Sequence, residues 1–276
     1  MELKLGICQL KVTEVKEENL AKAEKLISQA AAAGAELIVL PEMFNCPYQQ
    51  DLFSQFAENA TNSETLTLLA GLARKHHCYL VGGSIPEREG PNLYNTCFCF
   101  DRDGRIIARH RKIHLFDIEI PGKIAFKESA VLQAGEELTW FDTEFGRFGV
   151  VICYDLRFPE LFRLLVDAGV KAVLIPAAFN LTTGPAHWEV LMRSRAIDNQ
   201  VYIIGVSPAR NTTASYVAYG HSIVVDPWGS VLWEAGEVET VEIVPVELSN
   251  VEAVRQSLPL LAHRRSDLYQ LRGCRK

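Results

Sequence analysis

The chain of 276 residues has no apolar run approaching the ~20 residues needed to span a bilayer, so a transmembrane helix is not expected. It has no surplus of positive charge either. Its 28 Lys and Arg are outnumbered by 34 Asp and Glu, for a net charge of −6. That balance gives no global attraction to phosphate backbones, and neither nucleic acid nor a membrane is an expected partner. The opening MELKLGICQL lacks the basic start and cleavable apolar stretch of a signal peptide and reads as a first strand. No glycine-rich loop follows a strand in the phosphate-cradling pattern, since GGSIP and PGK lack its spacing. There is also no Gly/Ser- or Pro-rich break. Residues 1–276 are therefore expected to form a single domain, with a basic C-terminal tail over about 259–276 that contains HRRSDLYQLRGCRK.

Seven cysteines make an odd number without the spacing of a small disulfide scaffold, and Cys8, Cys97 and Cys99 sit inside strand-like runs. Reduced thiols and a cytoplasmic location fit this pattern best. Cys97 and Cys99 in NTCFCF alternate, which puts both on one face of a strand. With no second His/Cys pair to complete four ligands, they read as buried structural thiols rather than a metal site. No metal and no organic cofactor are expected.

What the chain does have is apolar material. With 48% hydrophobic residues, a protein of this size typically buries roughly 70–75% of its unfolded surface. Three of its apolar runs follow or flank a reactive side chain: AELIVLPE ends at Glu42, RHRKIHL holds Lys112, and FGVVICYD holds Cys153. A thiol, a carboxylate and an ammonium are the parts needed for acyl transfer from an amide. The thiol attacks, the carboxylate takes and returns its proton, and the ammonium steadies the negative charge of the tetrahedral intermediate.

The chain also reads as built twice. AGAELIVLPEMFN (33–45) lines up with AGVKAVLIPAAFN (168–180), and LGIC (5–8) with VVIC (150–153). YLVGGSIP (79–86) resembles YIIGVSP (202–208). The segments FDRDGRII (100–107) and VDPWGSVL (225–232) each frame a turn with Asp and Gly. Each half thus reads strand, helix, strand, helix, strand, hairpin strand. The helices are NLAKAEKLISQAAAAG and ETLTLLAGLARKHH in the first half, and PELFRLLVDAG and HWEVLMRSRAIDNQ in the second. Gly34 and Gly169 stand as helix stops. Two such sheets would bury one face against each other and carry their helices outside, giving an α/β fold arranged as a four-layer α-β-β-α sandwich with an internal pseudo-two-fold repeat. This alignment sets Ala177 opposite Glu42, Cys8 opposite Cys153 and Glu237 opposite Lys112, so the halves share framework but not chemistry.

LPEMF, HRKIH and ICYDLRFPE, in that order, resemble the Glu–Lys–Cys arrangement of the carbon–nitrogen hydrolase (nitrilase) superfamily. The likeness runs from the first strand to RRSDLY. The resemblance implies the same sandwich and assigns roles. Cys153 would form a thioester and Glu42 would act as general base and acid. Lys112 would hold the oxyanion with the backbone N–H of Tyr154, and Glu128 in FKES would be an auxiliary carboxylate that orients the site. Tyr154-Asp155 after the nucleophile, in place of Trp-Glu, favours amidases over nitrile hydrolysis. VLPEMFNCPY, HRKIHLFDIEIPGKIAFKES, AAFNLTTGPAHWE and SPARNTTASYVAYGHS resemble the omega-amidase branch, which implies hydrolysis of the terminal amide of 2-oxoglutaramate and 2-oxosuccinamate. Such substrates carry a distal carboxylate. Arg157 is the first candidate to bind it, with Phe179 and Thr183 walling the pocket and Tyr48 closing its mouth. The resemblance also implies a small-molecule amide substrate and a homodimer.

Other readings stay open at this point. Deaminated-glutathione amidases and N-carbamoyl-amino-acid hydrolases share the triad, and a non-catalytic interaction module could retain the fold. A Cys–His–Asp arrangement could draw on His114, His187 or His221.

Overall fold

The structure is a computed structural model that describes residues 2–273. In the first half, β1 (Glu2–Gln9), α1 (Lys16–Ala32), β2 (Leu37–Val39), α2 (Gln50–Phe56), α3 (Glu64–His76) and β3 (Tyr79–Val81) are followed by β4 (Ile85–Glu89), β5 (Asn92–Phe100) and β6 (Ile106–Arg111). A two-stranded ribbon, β7 (Asp117–Ile120) and β8 (Ile124–Lys127), leads to β9 (Thr139–Thr143). The second half runs β10 (Gly146–Val150), α4 (Pro159–Asp167), β11 (Ala172–Pro176), α5 (Gly184–Asn199), β12 (Tyr202–Val206), β13 (Ile223–Val225) and β14 (Val231–Glu234). β15 (Thr240–Glu247) and α6 (Asn250–Ser257) close the order.

Local chemistry accounts for these elements. α1 places Leu20, Ala23, Leu26, Ile27 and Ala30 on one buried stripe and opens with Glu17 and Glu18, which suit the positive end of its dipole. Ser63 caps α3 by accepting a hydrogen bond from Leu66 N at 2.9 Å, and Arg74, Lys75 and His76 close that helix. α4 starts on Pro159, whose missing N–H is no loss in a first turn. Gly34 and Gly169 take φ of 90° and 91° just beyond α1 and α4, which makes both the stops the sequence implied.

In each sheet three parallel strands (β1-β2-β3 and β10-β11-β12) are extended by an antiparallel hairpin pair and flanked on the far edge by one antiparallel strand, β15 or β9. Period-two alternation then sorts the side chains. In the first sheet Leu3, Leu5, Ile7, Leu37, Val39, Cys97 and Cys99 join the core formed with the second sheet. Cys8, Ile38, Leu80, Phe98 and Phe100 turn the other way, under α1 and α3. α4 and α5 cover the second sheet through Phe162, Leu165, Trp188 and Met192. The result is the four-layer α-β-β-α sandwich, and Cys97 and Cys99 lie at its centre, 0% and 1% exposed. Truncating a central aromatic such as Phe148 to Ala would cost about 3–5 kcal/mol.

The pairing registers refine the repeat. Leu37 and Ala172 are equivalent, because they pair with Tyr79 and Tyr202. Their partners on the other side are Leu5 and Phe148. The counterpart of Cys8 is therefore Val151, and that of Cys153 is Leu10, two residues away from the match of LGIC with VVIC. A slip of two preserves the inside/outside alternation, so apolar pattern alone could not detect it. The match of Lys112 with Glu237 holds. Both hairpins carry a register shift at equivalent places, Cys99/Phe100 and Val224/Val225, with Ile106 and Val231 the matching partners beyond it. α2, β4 and the ribbon have no counterpart in the second half. The basic tail reaches back to the body through Arg264, 2.6 Å from Asp167, and residues 274–276 lie outside the described part.

Candidate active site

The reactive groups meet where strands of both sheets end. β2 gives way at Pro41, which has no N–H to continue the ladder. The next turn is clamped by Ser84, whose Oγ accepts from Met43 N at 3.0 Å and whose N–H donates to Pro41 O at 3.2 Å. Gly83, at φ 60°, permits this clamp, since a Cβ there would lie 2.1 Å from Pro41 O. Glu42 is thereby turned into the interior with 0% exposure. Lys112 continues the line of β6, its N–H donating to Asn95 O at 2.9 Å, and its side chain is equally buried.

These groups form one polar cluster. Lys112 Nζ lies 2.9 Å from Glu42 Oε1 and 2.8 Å from Glu128 Oε2 and donates to Tyr48 OH at 3.1 Å. Tyr48 OH lies 3.1 Å from Glu128 Oε1 and 3.4 Å from Glu42 Oε1. Phe116 N donates to Glu128 Oε2 at 2.6 Å. Asn95 Nδ2 donates to Glu42 Oε1 at 2.8 Å and to Glu128 Oε1 at 3.2 Å. Glu42 Oε1 thus has several partners, whereas Oε2 is buried and makes no well-aligned hydrogen bond among the described residues, though the Cys153 thiol is close enough to interact with the carboxyl.

Cys153 follows β10 at φ 45°, a left-handed conformation that costs a non-glycine residue about 1–3 kcal/mol and persists only where its surroundings impose it. Here the imposing group is Asp155. Its carboxylate accepts from Ile152 N (3.1 Å) and from His114 N and Nδ1 (2.8 Å each), and lies 3.4 Å from His110 Nε2. Burial works against the charge of Asp155, but these bonds prevail and hold its carboxyl well below the usual range. The single turn Cys153–Arg157 begins at the nucleophile, and the first N–H groups of such a turn, Tyr154 N among them, have no acceptor within it. Ala178 N donates to Cys153 Sγ at 3.5 Å.

Burial dominates the electrostatics. It pushes the Cys153 thiol well up, helped by the negative Glu42 and only partly opposed by Lys112. It also raises Glu42, against the pull of Lys112. Lys112 behaves differently: Glu128 and Glu42 overcome its desolvation and hold it cationic well above the ordinary lysine value. These shifts favour a protonated thiol at Cys153, a more basic carboxyl at Glu42 and a charged ammonium at Lys112.

Cys153, Tyr154, Arg157, Phe179 and Thr183 line one cleft together with Phe116 and Tyr216. The guanidinium of Arg157 lies over Phe179, 4.9 Å from its centroid, and its Nη1 is 3.2 Å from His187 Nδ1. Among the described residues Arg157 makes no ion pair with Asp155 or Glu160. Tyr48 bridges the charged cluster and a neighbouring cavity. It is 8% exposed, packed against Tyr216 at 4.7 Å and Phe126 of β8 at 5.3 Å, with its hydroxyl inside the charged cluster, and together with Glu42 it also lines that cavity. The cavity, of about 340 Å³, shares Ala178 and Tyr216 with the cleft. The histidines of the rival arrangement point elsewhere: His114 to Asp155, His187 to Arg157 and His221 to Glu234. Asn95 escaped the sequence reading. Its signal is an amide in NLYNTCFCF at the same parity as Leu93, Cys97 and Cys99, a polar residue on a face that is otherwise apolar.

Residues 4–256 match the family described as Carbon-nitrogen hydrolase. This chain belongs to that family. Carbon–nitrogen hydrolases similar to it include omega-amidase NIT2 of Danio rerio, 48% identical over 270 residues that cover 98% of this chain and 97% of the relative. Omega-amidase NIT2 of Homo sapiens is 47% identical over 266 residues, covering 96% of each. Among solved structures, Saccharomyces cerevisiae Nit3, a member of branch 10 of the nitrilase superfamily, superposes with a TM-score of 0.88 at 43% identity, over 96% of this chain and 97% of that one. The carbon–nitrogen hydrolase sandwich is thus common to both, and the cluster described above sits within it.

Proposed function

We propose that this carbon–nitrogen hydrolase is an omega-amidase that removes ammonia from the terminal amide of 2-oxo-dicarboxylate monoamides, 2-oxoglutaramate and 2-oxosuccinamate. The observation that carries the reading is a fully buried Lys112 held at 2.9 Å and 2.8 Å from two carboxylates, beside a cleft lined by the buried Cys153 and by Arg157. The similar proteins named omega-amidase support the choice of substrate.

In this reading the distal carboxylate of the substrate pairs with Arg157 and Thr183, and Phe179 walls the chain between. The amide carbonyl then meets Cys153 Sγ, with its oxygen toward Lys112 Nζ and Tyr154 N. Because the thiol is protonated at rest, Glu42 accepts its proton as the carbon–sulfur bond forms. Lys112 cannot surrender its own proton while Glu128 and Glu42 hold it, so it acts as a fixed positive charge on the oxyanion. The tetrahedral intermediate collapses, Glu42 returns the proton to the nitrogen, and ammonia leaves a thioester. Water then enters, Glu42 deprotonates it, and a second intermediate releases the oxo acid and restores the thiol.

The reading includes a single domain over residues 1–276 and a cytoplasmic homodimer. Val190 and Ile197, 64% and 42% exposed on α5, offer an apolar contact for a second copy. Among the described residues no helix is long and apolar enough to cross a membrane. The test is ammonia release from 2-oxoglutaramate, with Cys153→Ala alongside and deaminated glutathione and N-carbamoyl-β-alanine as competing substrates. Cys153-dependent release from the oxo-acid amide supports the reading. Preference for a competitor replaces the substrate, and silence on all three overturns the enzyme.

A further inference from the structure

The cluster contains an imbalance that the triad alone does not resolve. Glu42 and Glu128 are both 0% exposed and share one ammonium. Two carboxylates that close, in so little water, tend to share a proton and titrate as a pair. A shared proton would place Glu42 in the wrong state for half of its task, since a protonated carboxyl cannot take a proton from the thiol.

Two uncharged side chains reach both carboxylates. Tyr48 OH has one hydrogen and also accepts from Lys112, so it can donate to Glu42 or to Glu128 but not to both. Asn95 Nδ2 has two hydrogens that diverge, and it makes one bond to each, at 2.8 Å and 3.2 Å. Its place on the central strand β5 fixes it: the side chain is 0% exposed and its carbonyl anchors Lys112 N at 2.9 Å. Asn95 Oδ1 has no partner among the described residues, so the amide is held by its donor side alone.

We propose that Asn95 is a positioning residue that keeps Glu42 and Glu128 as two separate, ionised carboxylates and leaves Glu42 Oε2 as the single proton acceptor for Cys153. It donates to the inner oxygen of each, so neither can approach the other to share a hydrogen, and it saturates Glu42 Oε1 together with Lys112. Asn95 does not line the cleft of Cys153 and Arg157, so its influence is on proton transfer and not on substrate affinity. The titratable groups around Glu42 are Lys112, Glu128, Tyr48, Cys153 and Tyr216. Of these Glu128 is the other carboxylate bound to Lys112.

The inference rests on the catalytic reading of Glu42 and Cys153, and the experiment separates the two. Cys153 alkylation by iodoacetamide and turnover of 2-oxoglutaramate are both followed against pH in the wild type, Asn95→Ala and Asn95→Asp. Thermal melts confirm that each variant is folded. If the wild type neither turns over nor alkylates at Cys153, the catalytic reading fails first. Otherwise the wild type should show a single one-proton acid limb in both assays. Asn95→Ala should lose on the order of 10- to 100-fold in kcat, part of what a positioned base contributes, with KM within about threefold. Its acid limb should move up by about one to two pH units and broaden into two steps, as a charged carboxylate losing a hydrogen bond requires. Asn95→Asp, nearly identical in shape but unable to donate twice, should show the same upward movement. A folded variant with the wild-type limb overturns the proposal, as does a loss confined to KM. So does a two-step limb in the wild type, an outcome that needs no variant to fold.

Discussion

Glu42 and Ala177 occupy equivalent places beyond the second strand of each repeat, and Lys112 and Glu237 equivalent places beyond the hairpin strand. In the first half both positions are charged, buried and joined to each other. In the second, Ala177 is a core residue, and Glu237 pairs with Arg210 at the surface. The second half has instead the elbow of Cys153 and the cleft of Arg157, Phe179 and Thr183. One framework used twice has thus divided its labour. In the proposed mechanism the first copy holds fixed charge and moves protons, and the second holds the nucleophile and the substrate. A duplicated sheet can bear this because its stability comes from apolar faces that both copies retain, while residues just past the strand ends are free to diverge.

The comparison can be broken most completely at the one residue both functions need. Cys153→Ala should reduce ammonia release to the uncatalysed background and eliminate any thioester detectable by mass spectrometry of the acylated protein. Lys112→Ala strikes the charged half alone. It should lower kcat by ~100–1000-fold. It should also destabilise the fold by about 3–5 kcal/mol, because two buried carboxylates lose their cation. Denaturant titration at several pH values should find that cost shrinking toward acid, as Glu42, whose carboxyl is pushed up by burial, becomes neutral. Arg157→Ala strikes the other half and should raise KM by about 10- to 100-fold while changing kcat much less, the loss expected for a charge-assisted bond to a carboxylate. A fall in kcat equal to that of Lys112→Ala would erase the division between the halves.

Asp155→Asn sharpens the comparison from the seam. His110 and His114 come from the end of the first half and grip the start of the second. The folded state depresses the Asp155 carboxyl, so its contribution is present above the unfolded value near ~4 and is lost as pH falls toward the folded one. The variant should be about 2 kcal/mol less stable at pH 7, with the gap to wild type narrowing below roughly pH 4. Arg264→Ala serves as the small control. Its half-exposed bridge to Asp167 should be worth no more than about 1 kcal/mol.

Much of this was legible in the residues themselves. The strand and helix order of the repeated framework, the stops at Gly34 and Gly169, the paired sheets and the meeting of Glu42, Lys112, Glu128 and Cys153 follow from apolar periodicity, turn chemistry and motif resemblance, whereas α2, β4, the ribbon, β9, β15 and α6 lie outside that reading. What escaped shares a physical cause. Alternation repeats every two residues, so it could not distinguish Leu10 from Cys8 as the counterpart of Cys153. Tyr48 looks like a rim residue in NCPYQQ, and nothing local reveals that its hydroxyl also reaches Lys112 and Glu128 under the ribbon bearing Phe126. Asn95 looks like a polar interruption in a strand until the carboxylates from far along the chain arrive on either side of it. Long-range burial, rather than local propensity, decides all three.

The depth of the cysteines has a further consequence for life in an oxidising cell. Cys8, Cys46, Cys78, Cys97 and Cys99 are at most 1% exposed, and Cys153 only 5%. Peroxide attacks thiolates, and burial favours the protonated thiol at Cys153, which in the proposed mechanism loses its proton to Glu42 only when a substrate is in place. Among the described residues, then, the sulfur most accessible to an oxidant is kept in its least oxidisable form, and this chemistry should remain dormant through an oxidative burst that would disable an enzyme built on a standing thiolate.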